Sequence, residues 1–245
     1  MRAKKLQSFS IILKSLAVTL WISIVSIFRV YCGTETRDAC DRRLRWWSEK
    51  LLRNLRLSYS AYNTHGVSFH GSKPYIIMSN HSSLCDIPLI LATIPGSIRM
   101  LTKKELFDVP IWGRGMKAAE FISIDRNDRR QAVKDLQHAR QKVESGIILW
   151  VAPEGTRSET GELGPFKKGG FMLAVRTGAY IVPVGIRGAY DVLPPRTLQF
   201  HLGKHAEVHV GKPIDASLYA SKNSDLLMSE VERQIRDLAG LHHSA

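Results

Sequence analysis

The stretch Asn80-His81-Ser82-Ser83-Leu84-Cys85-Asp86 decides how the rest of the chain is read. It follows a compact apolar run, Tyr75-Ile76-Ile77-Met78, and leads into Ile87-Pro88-Leu89-Ile90-Leu91. That pattern predicts a buried strand, a polar loop and a helix, with Pro88 in the first helical turn, where a missing N–H costs little. On a regular helix His81 and Asp86 would point about 140° apart. They meet only if His81 lies in the loop and Asp86 at the helix start. Asp86 then accepts from one imidazole nitrogen, fixes the tautomer and leaves the other nitrogen as a base. The same residues also fit a capping aspartate beside an unrelated loop histidine.

A second stretch, Val151-Ala152-Pro153-Glu154-Gly155-Thr156-Arg157-Ser158, again follows an apolar run, Ile147-Ile148-Leu149-Trp150. The pairing of Asn-His-x-Ser-x-x-Asp with Pro-Glu-Gly-Thr-Arg-Ser resembles the glycerolipid acyltransferases, specifically the lysophosphatidic acid acyltransferase family. Phe121-Ile122-Ser123-Ile124-Asp125-Arg126 is similar to that family's second block and Ile181-Val182-Pro183-Val184 to its fourth. Lys103-Lys104-Glu105-Leu106, Phe166-Lys167-Lys168-Gly169 and Gly211-Lys212-Pro213-Ile214 fall where the family carries comparable segments. Every block stands in family order, over about residues 70–215. Two departures are small: Ala152 stands where a bulky apolar residue is usual, and no glycine precedes Phe121.

The resemblance implies an α/β fold with a mixed central sheet flanked by helices. It implies acyl transfer from a thioester, on coenzyme A or acyl carrier protein, to the sn-2 hydroxyl of lysophosphatidic acid, giving phosphatidic acid. No metal and no cofactor beyond that co-substrate is expected. His81 would take the hydroxyl proton, and Asp86 would orient it and stabilise the imidazolium. A thiolate leaves readily, so no acyl-enzyme is required, and amides at the start of the helix after Asp86 are candidates for holding the oxyanion. The acceptor phosphate needs fixed positive charge. Arg157 offers a bidentate fork, Thr156 a hydroxyl and Gly155 close backbone approach. Glu154 would bind a glycerol hydroxyl or hold Arg157, while Arg126, Lys103 and Lys104 are further phosphate candidates. Cys85 reads as a packing residue. The rival readings are an acyltransferase for another lysolipid, such as a lyso-aminolipid, and a catalytically silent membrane-surface module.

A chain of 245 residues with a formal charge of +13 has length for one α/β domain and calls for an anionic partner. No nucleic-acid motif is present; the resemblance implies a lysophospholipid and the acyl donor as partners, and a bilayer is expected beside them. Three cysteines, Cys32, Cys40 and Cys85, form no Cys-x-x-Cys pair, which suits a reducing compartment.

Residues 1–57 are expected to form membrane-anchoring and amphipathic helices, and residues 58–245 the acyltransferase domain. Ser15 to Phe28 carries no charge over 14 residues, about 21 Å of helix against roughly 30 Å of hydrocarbon. Extending the run back to Leu6 gives 23 residues but includes Lys14, at a cost of roughly 2.5–3.5 kcal/mol at mid-bilayer. Tyr31-Cys32-Gly33 makes a poor cleavage site, so an uncleaved anchor, spanning or re-entrant, is expected, with the catalytic domain on the cytoplasmic face. In residues 41–57, Leu44, Trp47, Leu51 and Leu55 recur at helical spacing among six basic residues, beside Trp46, as in helices that lie at a lipid interface.

From residue 74 apolar runs alternate with helical segments. Strands are expected at 74–79, 98–102, 119–124, 146–151 and 180–186, with a polar-alternating pair near 196–210. Helices are expected at 87–93, 128–144, 167–177 and 224–239. His201, His205 and His209 fall in that polar pair. On a strand the last two lie about 13 Å apart, too far to share one metal ion, and read as a solvated face.

Overall fold

Ile76, Ile77 and Met78 are completely buried and form the middle of β2 (Tyr75–Ser79), the central strand of the molecule. The computed structural model describes residues 2–69, 73–125, 127–219 and 224–241. Beside β2 stand β5 (Ile148–Val151) and β6 (Tyr180–Arg187), both parallel to it. Beyond β5 lie β3 (Ile98–Lys103) and β4 (Ile122–Ile124), also parallel. On the other side β7 (His205–Val210) runs antiparallel to β6, and β1 (Ser58–Tyr62) closes the edge parallel to β7. The short β8 (Ile214–Asp215) pairs antiparallel with β6. The expected mixed sheet is therefore present, in the order β1-β7-β6-β2-β5-β3-β4.

Helices cover both faces. α1 (Lys5–Tyr31), α2 (Arg37–Asn54) and α3 (Asp86–Thr93) pack on one face, where Ile11, Leu52 and Leu89 share a core with Ile77 and Trp150. α5 (Arg129–Glu144), α6 (Lys168–Thr177) and α8 (Ser224–Ala239) pack on the other, where Ala139, Phe171 and Val231 meet Ile76 and Met78. Successive β2 residues thus enter opposite cores, as the period of two requires. Shorter helices α4 (Trp112–Ala118) and α7 (Ala189–Val192) follow β3 and β6.

Several expectations need correction. Only one strand forms in 196–210, because Leu193–Phe200 is irregular and His201 makes a single bridge to Arg2. β4 begins at Ile122, since Met116 and Ala119 still belong to α4 and its cap. α4 itself is hidden in the sequence by Gly113 and Gly115. Both positions exclude a side chain: an added Cβ would meet the Phe107 carbonyl oxygen at 2.0 Å or Ser23 Cβ at 2.5 Å.

The latter contact belongs to α1, which lies along α2 and α4 rather than apart from the domain. Its inward face buries two isoleucines, Ile11 and Ile22, beside small polar residues. Thr19 Oγ1 accepts from Trp47 Nε1 at 3.0 Å, Ser26 Oγ accepts from Arg43 Nε at 3.1 Å, and Ser23 seats Gly115. Its outward face carries Leu6, Phe9, Leu13, Leu16, Leu20, Ile24 and Phe28, each 41–79% exposed. A helix packed in water turns its apolar stripe inward; α1 does the reverse. It is 27 residues long and apolar enough to cross a membrane by length and composition.

Candidate active site

The site sits where β2 and β5 deliver their carboxyl ends, the usual place for a site in a parallel sheet. Asn80 extends the β2–β6 pairing beyond the last strand residue. Its Nδ2 donates to the Ile186 carbonyl at 2.9 Å, and its Oδ1 accepts from the Ile186 amide at 2.8 Å. With Asn80 fixed, residues 81–85 fold around the Asp86 carboxylate. Asp86 Oδ2 accepts from the amides of Ser82 at 2.8 Å and Ser83 at 2.9 Å. It lies 2.8 Å from His81 Nδ1.

α3 starts at Asp86, one residue earlier than expected, so histidine and aspartate stand as the loop-plus-helix geometry demands. A carboxylate only accepts, so Nδ1 carries the proton and Nε2 keeps a lone pair. Nε2 has no hydrogen-bond partner among the described residues. The His81 side chain is 17% exposed and that of Asp86 0%, so a substrate can reach the base while its carboxylate stays dry. Trp150, at the next strand, packs edge-on against the His81 ring with centroids 5.8 Å apart. Its indole N–H donates to Ser79 Oγ at 3.0 Å, and that hydroxyl donates to the Asn80 carbonyl.

Two neighbouring nucleophiles, Ser83 and Cys85, are disabled. Ser83 Oγ donates to the Leu193 carbonyl at 2.9 Å and accepts from the Cys85 amide at 3.2 Å. Burial pushes the Cys85 thiol up to about 12, so it holds its proton at neutral pH. Of the amides just after Asp86, Pro88 has none and that of Leu89 bonds to the Cys85 carbonyl, which leaves Ile87.

The second stretch closes over the first. Glu154 is buried, and Oε1 accepts from the His81 amide at 2.9 Å while Oε2 accepts from the Gly164 amide at 2.8 Å. Burial holds its carboxyl above the usual range although both amides favour the charged form. Of the two roles expected for Glu154, the one of holding Arg157 has no hydrogen bond or ion pair behind it among the described residues; both oxygens bind backbone. Glu154 is the clamp between the two motifs. Glu154→Gln offers one acceptor oxygen where two amides need one each and turns an NH2 toward the other. A lost buried partner costs about 1–3 kcal/mol, so the variant is expected to melt earlier and to turn over more slowly as the His81 backbone loosens. Thermal denaturation beside steady-state rates checks both effects.

The Ser158 amide donates to the His81 carbonyl at 2.7 Å, which places neighbouring Arg157 at the rim of the His81 loop. Arg157 is half-buried, and no hydrogen bond or ion pair engages its guanidinium among the described residues. Thr156 is exposed. Gly155 adopts φ +72°, and a Cβ there would come within 2.9–3.1 Å of the end of the Lys167 side chain. The glycine therefore makes room for a lysine that motif reading left outside the site; only its place in the Phe166-Lys167-Lys168-Gly169 segment hinted at it.

Lys103 ends β3 and Lys104 opens the 3-10 turn that follows, at the same end of the sheet. Lys103 is exposed and forms no ion pair among the described residues, whereas Lys104 is paired with Asp125. Asp125 also caps the amides of Asn127 and Asp128, so Lys104 is tied into that loop. Arg126 lies outside the described residues. His205 contacts Ser58 Oγ at 3.0 Å, and His209 pairs with Glu207 and stacks on Tyr62, all on the β1–β7 edge.

The model of a family described as acyltransferase matches residues 59–187, more than half of the chain. A chloroplastic 1-acyl-sn-glycerol-3-phosphate acyltransferase of Brassica napus is 34% identical over 168 residues, 69% of this chain and 47% of that protein. The 1-acyl-sn-glycerol-3-phosphate acyltransferase of Saccharomyces cerevisiae is 37% identical, over 58% of this chain and 48% of its own length. The human alpha form is 32% identical, over 60% and 52%. The matched region thus spans about half the length of these curated relatives. Among solved structures, the 1-acyl-sn-glycerophosphate acyltransferase PlsC from Thermotoga maritima superposes with a TM-score of 0.73 at 24% identity, covering 95% of this chain and 97% of that one. The two share a fold.

Proposed function

The chain belongs to the acyltransferase family, and from that premise we propose that it acylates the sn-2 hydroxyl of lysophosphatidic acid from an acyl thioester, releasing phosphatidic acid and a free thiol. The observation that carries this reading is the His81 imidazole, tied through Nδ1 to a buried carboxylate and open at Nε2. Nε2 takes the hydroxyl proton as the oxygen bonds to the thioester carbonyl carbon. The tetrahedral intermediate then breaks its C–S bond, and the thiolate recovers the proton from the imidazolium. Asp86 stabilises the cation between those steps. Arg157 and Lys103, both without a carboxylate partner among the described residues, supply charge for the acceptor's phosphate, with Lys167 beside them. The three relatives described above are 1-acyl-sn-glycerol-3-phosphate acyltransferases, which agrees with this acceptor.

The test is a panel of lysolipids incubated with acyl-coenzyme A and, separately, with acyl carrier protein thioester, products resolved by chromatography. Phosphatidic acid as the main product supports the proposal. Preferential acylation of a lyso-aminolipid moves the acceptor, and no acylation of any lysolipid sinks the activity.

The membrane supplies the acceptor in this proposal, through the outward stripe of α1. Replacing Leu13, Leu16 and Leu20 by serine removes three lipid-facing side chains without touching the Thr19–Ser23–Ser26 face. At about 1.5–3 kcal/mol per buried side chain, binding to phospholipid vesicles is expected to fall by at least tenfold while the melting temperature stays near the parent's. Unchanged sedimentation with vesicles would show that another surface holds the bilayer.

A further inference from the structure

We propose that the α5–α6 face is the docking surface for an acidic protein that carries the acyl chain as a thioester. The inference rests on the acyl-transfer reading above and adds to it the side from which the donor arrives.

The outward apolar stripe belongs to α1, and α1 shares its core with α2 and α3 on one face of the sheet. α5 and α6 cover the opposite face. A basic surface there is turned from the lipid stripe toward water, which makes a soluble partner its natural counterpart. α5 and α6 follow strands β4 and β5, and the loop after β5 carries Glu154 and Ser158, which bind the His81 backbone. The Lys167 amide donates to the Pro153 carbonyl at 2.8 Å, so α6 begins directly against the Pro-Glu-Gly corner of the active site. A protein seated on these two helices would hold its acyl arm at the mouth of that site.

The chemistry of the face matches such a partner. Arg130 and Lys134 stand exposed one turn apart on α5, and Arg176 is exposed on α6. None of the three forms an ion pair with a described residue. Val133 and Met172 are 47% and 41% exposed among them. Leu136, one turn beyond Val133, approaches Gly169, so Val133 lies on the side of α5 turned to α6. The acids of the neighbourhood are engaged: Asp225 with Lys168, Glu144 with Arg140, and Asp128 and Asp135 with amides. Lys167, the N-cap of α6, and Arg176, in its last turn, stand about 13 Å apart along the helix, with Lys168 paired to Asp225 between them. Unpaired cations around exposed apolar side chains, spread over two helices, fit an acidic helical surface: charge steers the encounter and the apolar centre holds it.

The decisive experiment compares donors in one enzyme. Steady-state kinetics are measured for the full chain and for the double variant Arg130→Glu/Lys134→Glu, with acyl carrier protein thioester and with acyl-coenzyme A of the same chain length. The variant is expected to raise KM for the carrier donor by at least about tenfold and KM for acyl-coenzyme A less than about twofold, with kcat and melting temperature unchanged. Arg130→Gln/Lys134→Gln should give a smaller rise in the same direction. Added salt should weaken use of the carrier more in the parent than in the charge-reversed variant. Equal changes with both donors, no change with the carrier, or turnover from acyl-coenzyme A alone would each overturn the proposal. If no lysolipid is acylated from either donor, the acyl-transfer reading falls, and calorimetry of acyl carrier protein against the parent and double variant still decides the surface. Binding that the variant weakens supports it; no binding overturns it.

Discussion

His81→Ala is expected to lower kcat by about 10²–10⁴-fold, the contribution of a positioned general base, with the KM values for donor and acceptor little changed. The separation follows from geometry. His81 reaches the reacting hydroxyl through Nε2 alone, while Glu154 and Ser158 hold its backbone and stay in place when the ring is removed. Asp86→Asn tests the other half of the pair. Oδ2 of Asp86 serves the amides of Ser82 and Ser83 as well as Nδ1. An asparagine oxygen in the place of Oδ2 can keep the two amides and Nδ1, while its NH2 takes the place of Oδ1, which is buried without a hydrogen-bond partner among the described residues. The tautomer is then kept, but a neutral amide no longer stabilises the imidazolium, and the buried NH2 is left without an acceptor at a cost of about 1–3 kcal/mol. A loss in kcat smaller than the roughly 10⁴-fold seen when a serine-protease triad loses its tautomer is expected, with a lower melting temperature. A melting curve beside each assay separates this from unfolding. Added imidazole should restore part of the His81→Ala rate and none of the Asp86→Asn rate.

Arg157→Ala is expected to raise the KM for lysophosphatidate by about 10–150-fold, the equivalent of a charge-assisted hydrogen bond of roughly 1.5–3 kcal/mol, with little change in KM for the donor. A guanidinium without an ion-pair partner among the described residues, on the residue preceding an amide bound to the His81 carbonyl, is placed for an anionic head group. Arg157→Lys should recover part of the affinity, because an ammonium supplies the charge without the planar fork. Lysophosphatidylcholine, whose phosphate is a diester beside a cation, should be a poor acceptor and nearly indifferent to the change. Equal losses with both acceptors would make Arg157 structural and shift the phosphate to Lys103 and Lys167.

The central architecture was legible in the sequence because β2, β5 and β6 are fully apolar runs, and such runs are what a sheet buried on both faces requires. The His81–Asp86 geometry was legible for a related reason: a polar loop between a buried strand and a helix can bring the two side chains together in one way. Contacts set by chain-distant partners were not legible. Glu154 became a clamp only once the amides of His81 and Gly164 converged on it, and no local pattern marks a carboxylate that will bind backbone. α4 escaped because two of its seven residues are glycines, which sequence propensity counts against a helix, while Ser23 and the Phe107 carbonyl demand them. β1 is a short polar edge strand whose partner lies far along the chain, so neither periodicity nor a turn signal announces it. In α1 the apolar stripe was visible; that it faces outward became clear only when Thr19, Ser23 and Ser26 were seen against α2 and α4.

The central claim is direct transfer, with the acyl group passing from thioester to acceptor hydroxyl in one site and never residing on the protein. It is tested most directly by intact-protein mass spectrometry combined with thiol release, first with acyl thioester alone and then with lysophosphatidate added. Direct transfer predicts an unmodified protein mass and no burst of thiol with donor alone, then thiol and phosphatidate released in equal amounts once acceptor is present. A hydroxylamine-sensitive acyl adduct, or a stoichiometric burst of thiol before any acceptor is added, would contradict it and place a covalent nucleophile in the mechanism.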